Sequence, residues 1–354
     1  MAELFINPQN LILQTLRTRI DTMTRLGVVF QDRSSDQWQA VMHKAYIHNK
    51  WFTLENINAS FDALAHSFLA QSNLENWLSD YEISEGESEV KRIGMVMAGN
   101  IPMVGFHDLL CVYMSGHKLA MKLSEKDTVL LTFVLELLKE IDPATSEYFE
   151  VVEKLEGFDA VIATGSDNSS RYFEVYFAKY PHIIRRNRNS VAVFTGKETE
   201  EELIEFGKDV FQYFGLGCRN VSKLYVPHGY NFDPLLTALH EYRELQHHDK
   251  YKNNFDYNYT MLILNQVPHL ANGCILIKEE KAIVSRIASL HYEFYDNLDD
   301  LEKELSSLED KIQCIVGQEE LSKLKTIPFG KAQKPGLSDY ADGVDTMQFL
   351  CDLT

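Results

Sequence analysis

The chain opens on helical spacing. Apolar residues recur at Leu13, Leu16, Ile20 and Met23, one face of a 3.6-residue period, with Asn10 placed to cap them and Gly27 to stop them. Trp38, Val41, Ala45 and Tyr46 repeat the spacing, and Leu54 to Leu69 carries it again, so the N-terminal segment reads as helices. Ser84-Glu85-Gly86-Glu87-Ser88 interrupts it with a polar break. Beyond the break, short apolar runs alternate with amphipathic stretches, the signature of a parallel sheet covered by helices and hence of an α/β fold. Strands are expected at Ile93 to Ala98, Lys118 to Leu123, Ala160 to Ala163, Ser190 to Phe194 and Val221 to Val226. Between them, helices are expected at Phe106 to Tyr113 (closed by Gly116), Thr128 to Glu140 (with Pro143 beyond), Asn168 to Lys179 and Glu200 to Phe214. Further helices follow at about Phe232 to Gln246 and Tyr257 to Asn265, with strands near Ile275, Tyr292 and Cys314. The Gly-, Asp- and Lys-rich tail from Phe329 to Thr354 is expected to pack over another element.

Charge narrows the partners. The net charge of −18 and the lack of a long Lys/Arg cluster exclude nucleic acid and anionic membrane as main partners, because both reward basic patches. The most apolar run, Val129 to Leu138, is too short to span a bilayer and contains Glu136. The opening Met-Ala-Glu-Leu-Phe-Ile-Asn-Pro lacks a basic n-region and an apolar h-region, so no secretory signal is expected. Cys111, Cys218, Cys274, Cys314 and Cys351 are odd in number and form no CxxC pair, which fits free thiols in a reducing cytoplasm and gives no metal signature.

Four stretches carry candidate chemistry. In Phe214-Gly215-Leu216-Gly217-Cys218-Arg219-Asn220 a cysteine is displayed between glycines and a cation, and the cation is expected to favour the nucleophilic thiolate. Such a cysteine also fits a small buried apolar residue. Asn100 follows the first expected strand and Gly99, where a fixed amide would suit a developing oxyanion or satisfy a turn. Lys122 and Glu125 leave the second strand, placed either to hold ribose hydroxyls between them or to form a solvated pair. Thr164-Gly165-Ser166 stands between a strand and a helix, where N–H groups attract phosphate and where a serine also caps a helix. A full G-x-G-x-x-G is absent.

Taken in order, Ala98-Gly99-Asn100-Ile101-Pro102, Met121-Lys122-Leu123-Ser124-Glu125, Ala163-Thr164-Gly165-Ser166 and Gly215-Leu216-Gly217-Cys218 resemble the aldehyde dehydrogenase superfamily. The closer likeness is to the bacterial acyl-CoA reductases of the LuxC type, the fatty-acyl reductases of luminescence systems. The tail Lys331-Ala332-Gln333-Lys334-Pro335 to Asp342-Gly343 is similar to their ending, and the likeness runs from about Val90 onward. The resemblance implies that Cys218 is the nucleophile and that Asn100 and the Cys218 N–H form the oxyanion hole. It implies that Lys122 and Glu125, with Ser124 in the same stretch, bind the adenosine ribose, and that Gly165 and Ser166 lie by the pyrophosphate of NADH or NADPH.

One departure refines the reading. Aldehyde dehydrogenases that release free acids carry a water-activating glutamate in Glu-x-Gly-Gly-Lys before a strand. The matching stretch here is Arg185-Arg186-Asn187-Arg188-Asn189, with no carboxylate. Thioester exchange with a cysteine needs no such base. The arginines would meet the phosphates of coenzyme A or form a solvated charge run. Glu125 favours the free 2′-OH of NADH, whereas luminescence-type reductases are associated with NADPH.

The expected architecture is aldehyde-dehydrogenase-like. Residues 1–190 are read as a helical N-terminus and Rossmann-type dinucleotide-binding domain, and 191–325 as an α/β catalytic domain carrying Cys218. Residues 326–354 are read as a segment packing back or at an oligomer interface. The expected reaction is reduction of an acyl-CoA to an aldehyde through a Cys218 acyl-enzyme, with hydride from NADH or NADPH and no metal. Expected partners are the acyl thioester, further copies of the chain and an acyl-transferring enzyme. The alternatives are an aldehyde dehydrogenase forming free acid and a non-catalytic family member acting as a binding protein.

Overall fold

The computed structural model describes residues 14–83, 90–318 and 324–353. Asn10, Leu13 and the polar break at 84–88 lie outside the described residues. The N-terminal helices are α1 (Leu16–Gln31), α2 (Asp36–His48), α3 (Leu54–Ala63) and α4 (Gln71–Leu78). The Thr15 hydroxyl caps α1 by accepting from the Thr18 N–H at 3.2 Å. Gly27 does not stop this helix. The apolar spacing continues to the fully buried Phe30, and a Cβ at Gly27 would lie 2.8 Å from the Cβ of Leu69, so the glycine serves a close approach. The expected third helix is α3 continued by a π-helical turn over Leu64–Phe68. Phe30 meets Phe61 edge-on at 4.7 Å and Trp38 meets Phe133 edge-on at 4.8 Å, the aromatic centre of this layer.

The first sheet alternates strand and helix. Its elements are β1 (Arg92–Val96), α5 (Phe106–Ser115), β2 (Lys118–Lys122), α6 (Thr128–Ile141), β3 (Phe149–Val151), β4 (Ala160–Thr164), α7 (Asp167–Phe177) and β5 (His182–Arg185). The five strands are all parallel in the order β3-β2-β1-β4-β5. The strand order therefore reverses at β1, and open α/β sheets bind ligands beyond the C-terminal ends of the strands at such a switch point. The N-terminal helices, α5 and α6 cover one face, and Phe173 and Phe177 of α7 pack on the other.

The second sheet is built from β6 (Asn189–Val193), α8 (Glu200–Phe211), β7 (Val221–Pro227), α9 (Asp233–Leu239), α10 (Asp249–Leu264), β8 (Leu270–Ala271), β9 (Leu276–Glu279), β10 (Ser289–Tyr295), α11 (Leu298–Ser307), β11 (Ile312–Gly317), β12 (Thr326–Ile327) and α12 (Thr346–Cys351). Its order is β12-β11-β6-β7-β10-β9-β8, parallel except for the β8–β9 pair. Helices α8 to α10 cover one face and α11 the other. The expected 232–246 helix is α9 followed by a tighter turn over His240–His247.

The N-terminal layer and the tail bind the two sheets together. Trp51 stacks on His248 with ring centroids 5.1 Å apart, and a His248 ring nitrogen meets the Lys50 carbonyl at 2.8 Å. The tail adds β12 to the second sheet, then returns to the N-terminal layer. There the Trp77 indole donates to the Tyr340 hydroxyl at 2.8 Å and the Tyr81 hydroxyl to Asp345 at 2.9 Å. Its last helix, α12, packs against α5 and adds Met347 and Leu350 to the first core. Among the described residues no helix is long and apolar enough to cross a membrane.

Candidate active site

Helix α8 leads into the cysteine loop. A capping box opens it, with Thr199 and Glu202 each accepting the other's backbone N–H. The apolar spacing runs on to Phe214, yet the helix ends at Phe211. Tyr213 (φ 54°), Phe214 (φ 59°) and Gly215 (φ 75°) follow in the left-handed region, which two aromatic residues enter only when held there. The holding is visible. Trp51 and His248 pack on the Phe214 ring with centroids at 5.2 and 4.4 Å, and Asn56 accepts the Tyr213 N–H at 3.4 Å. Asn220 then stitches the loop closed. Its amide donates to the carbonyls of Asp209 (3.1 Å), Val210 (3.3 Å) and Gln212 (2.9 Å), and its oxygen accepts the Gly217 N–H at 2.8 Å.

Cys218 sits half-buried in this frame, its carbonyl accepting from the Ser190 hydroxyl at 3.1 Å. The same hydroxyl lies 2.9 Å from the Cys314 sulfur. Burial pushes the Cys218 thiol up to about 11; Arg219 opposes the shift, while Asp342 and Cys314 add to it. This corrects the expectation that a cationic neighbour leaves a thiolate. The Arg219 Nε donates to the Ala332 carbonyl at 2.5 Å, and its charge does not offset the lost hydration of the sulfur.

Asn100 comes to the same place from the first sheet. Its side-chain amide donates to the Leu216 carbonyl at 2.7 Å, so the expected oxyanion donor already spends one hydrogen on the cysteine loop. The turn behind it is fixed by Ser60, which donates to the Pro102 carbonyl at 2.9 Å, and by Asp127, which accepts the N–H of the left-handed Met103 at 2.7 Å. Asp127 is buried, and its burial raises the carboxyl to about 8.

The other predicted residues line the C-terminal edge of the first sheet. Lys122 and Glu125 are exposed at and beyond the end of β2, with no ion-pair partner among the described residues. Ser124 is half-buried and accepts the Lys126 N–H at 3.3 Å. Gly165 and Ser166 follow β4, but their local groups are engaged. The Gly165 N–H donates to the Arg185 carbonyl at 3.3 Å, and the Ser166 hydroxyl caps α7 by accepting the Ser169 N–H at 3.4 Å. That Gly165 bond extends the β4–β5 pairing by one residue, so this N–H is not open to a phosphate.

The arginine stretch is neither solvated nor a phosphate clamp as a whole. The inward alternation of β5 buries Arg185, which pairs with the buried Asp108 of α5 and donates to the Thr346 hydroxyl at 2.7 Å. Arg188 pairs with Asp342 at 3.2 Å, and only the Arg186–Glu174 pair stands at the surface.

Three contributors escaped the sequence reading. Asp209 is fully buried and accepts the N–H groups of Gly330 (2.6 Å) and Ala332 (2.9 Å), clamping the tail to α8. An acid on the apolar face with Phe206 and Val210 was its signal. Asp342 and Gln333 carry no local signal; the returning tail brings them to the cysteine loop. Among the described residues no group of His, Cys, Asp and Glu is placed to hold a metal ion.

No family model matches the sequence, and no curated protein matches it either. Solved structures do match in shape. Gamma-glutamyl-gamma-aminobutyraldehyde dehydrogenase from Burkholderia cenocepacia J2315 superposes with a TM-score of 0.64 at 12% identity, over 89% of this chain and 76% of that one. Betaine aldehyde dehydrogenase from Staphylococcus aureus, solved with NAD+, gives 0.65 at 12% identity, over 89% and 74%. The NAD+ complex of a Bacillus cereus aldehyde dehydrogenase gives 0.62 at 11% identity, over 89% and 76%. The chain has the fold of the aldehyde dehydrogenases.

Proposed function

We propose that this protein is a nicotinamide-dependent oxidoreductase that reduces an acyl thioester, of the acyl-CoA class, to an aldehyde through an acyl group carried on Cys218. The observation that carries the reading is the bond from Asn100 to Leu216, which brings the strand-end amide of the first sheet to the cysteine loop of the second. Acyl transfer is a balanced exchange. The Cys218 sulfur forms the new thioester, the bond to the coenzyme A sulfur breaks, and the Cys218 proton leaves with that sulfur. The Cys218 N–H and the remaining Asn100 hydrogen would receive the carbonyl oxygen as it gains charge.

The dinucleotide fits the first sheet. Lys122 and Glu125 stand exposed at and beyond the C-terminal end of β2, without ion-pair partners among the described residues, and would meet ribose hydroxyls, with Ser124 in the turn between them. The backbone N–H groups of the first turn of α7, which Ser166 caps, would meet the pyrophosphate. When bound, the reduced nicotinamide supplies hydride to the acyl carbon. The Glu125 carboxylate favours NADH, because it would repel a 2′-phosphate.

Thioester chemistry is preferred to hydrolysis on electrostatic grounds. The stretch that matches the water-activating glutamate carries Arg185 instead, and Arg185 is committed to Asp108. Asp342, the carboxylate acting on Cys218, is committed to Arg188. Incubation with octanoyl-CoA and no dinucleotide, followed by intact-mass measurement and peptide mapping, tests the reading. One octanoyl group on Cys218, absent from Cys218→Ala, is expected. An adduct on another cysteine, or aldehyde formation surviving in Cys218→Ala, would refute it.

A further inference from the structure

We propose that the side-chain amide of Gln333, which lines a cavity that admits the acyl chain, is a second donor to the substrate carbonyl; this rests on the reading of Cys218 as the nucleophile. Gln333 is only 8% exposed, and its Nε2 has no hydrogen-bond partner among the described residues. A desolvated amide donor without a partner is unfavourable in the resting protein and is available to a ligand oxygen. Asn100, by contrast, already gives one hydrogen to Leu216.

Position supports the assignment. Gln333 approaches the cysteine loop at Gly217, which has no side chain; a Cβ there would lie 3.8 Å from the Gln333 Oε1. The backbone beside Gln333 is held twice, by the Ala332 N–H on Asp209 at 2.9 Å and by the Ala332 carbonyl on Arg219 at 2.5 Å. The amide is thus held against the cysteine loop at Gly217, the residue before Cys218, rather than carried on a loose tail. A cavity of about 920 Å³ reaches it from between the N-terminal helices and the 241–248 segment. Ala59, Ala63, Phe211, Phe214 and Leu245 give that cavity apolar walls, while its histidines and carboxylates lie among the exposed and half-buried positions. An aliphatic acyl chain with a single polar carbonyl at Gln333 fits this lining.

The test separates oxyanion stabilisation from mere reach to the sulfur. The full-length protein is acylated with octanoyl-CoA and, separately, alkylated with iodoacetamide, each followed by intact mass at Cys218. Acylation builds charge on a carbonyl oxygen; alkylation does not. Gln333→Leu is expected to acylate roughly 100-fold more slowly, the usual effect of losing one such donor, with alkylation near the wild-type rate. Gln333→Glu should be slow at neutral pH and recover as acid restores a donor proton. Unchanged acylation in Gln333→Leu, or an equal loss of acylation and alkylation, overturns the proposal. Wild-type protein that alkylates but never acylates overturns the nucleophile reading instead, and this inference with it.

Discussion

The amide of Asn100 donates to the carbonyl of Leu216 at 2.7 Å, joining positions 116 apart in sequence and tying the first sheet's edge to the cysteine loop of the second. The bond has a mechanical and a chemical side. Asn100→Ala should release the loop and remove an oxyanion donor, slowing Cys218 acylation by octanoyl-CoA roughly 100-fold. Dinucleotide affinity, measured by fluorescence titration, should be unchanged, because Lys122 and Glu125 lie on the next strand's end. Asn100→Asp should be no better than alanine, since a carboxylate faces both the Leu216 carbonyl and the developing oxyanion.

Cys218 should behave as a reluctant thiolate. With its thiol pushed up to about 11, the rate of alkylation by iodoacetamide should climb through neutral and alkaline pH and level only near pH 11. The sign follows from burial, which penalises the charged form and outweighs Arg219. Arg219→Met should move the profile further up, because the adjacent opposing cation is gone. A plateau near neutral pH in the wild type would contradict the geometry.

The central strands of the first sheet were legible in the sequence because parallel, doubly covered strands are continuous apolar runs, as β1, β2 and β4 are. Local chemistry was equally legible at Gly116, which closes α5 at φ 84°, and at Ser166, which caps α7. Strands β3 and β5 were hidden: one is three residues long and largely exposed, the other begins and ends on His182 and Arg185. The end of α8 was misread because the apolar period continues to Phe214, whereas Asn220 collects three carbonyls across the helix end and stops it. Arg185 and Gln333 were unreadable for one reason. Their environments are set by Asp108 and Asp209, partners remote in sequence that only the tertiary fold supplies.

Asp209 should set the order of the tail. Asp209→Ala leaves the buried N–H groups of Gly330 and Ala332 without acceptors, a loss of about 1–3 kcal/mol for each. Limited proteolysis should then cut near residues 328–334 in the variant and spare the wild type. The pH dependence has a definite sign. Burial raises the Asp209 carboxyl from 3.8 to about 6, so its contribution is full below about pH 4 and is lost as pH rises through 6. Asp209→Asn cannot ionise, so the stability of the wild type relative to this variant should fall across that window. Chemical denaturation at several pH values reads the difference.

Arg185 and Asp108 provide the sharpest separation of structure from function. Both side chains are 7% exposed, so each neutralises a charge that water does not reach. Asp108→Asn alone should destabilise the protein by roughly 3–5 kcal/mol in urea unfolding, because the guanidinium stays buried without its counter-ion. Arg185→Met alone should cost a comparable amount for the mirror reason. The double variant Asp108→Leu, Arg185→Met should recover much of the loss, since well-packed apolar residues can replace a buried ion pair. If Arg185 instead gripped a coenzyme A phosphate, Arg185→Met would raise the KM for octanoyl-CoA at unchanged stability. The buried pair predicts the reverse: a large stability change, with the KM of the protein that remains folded left where it was.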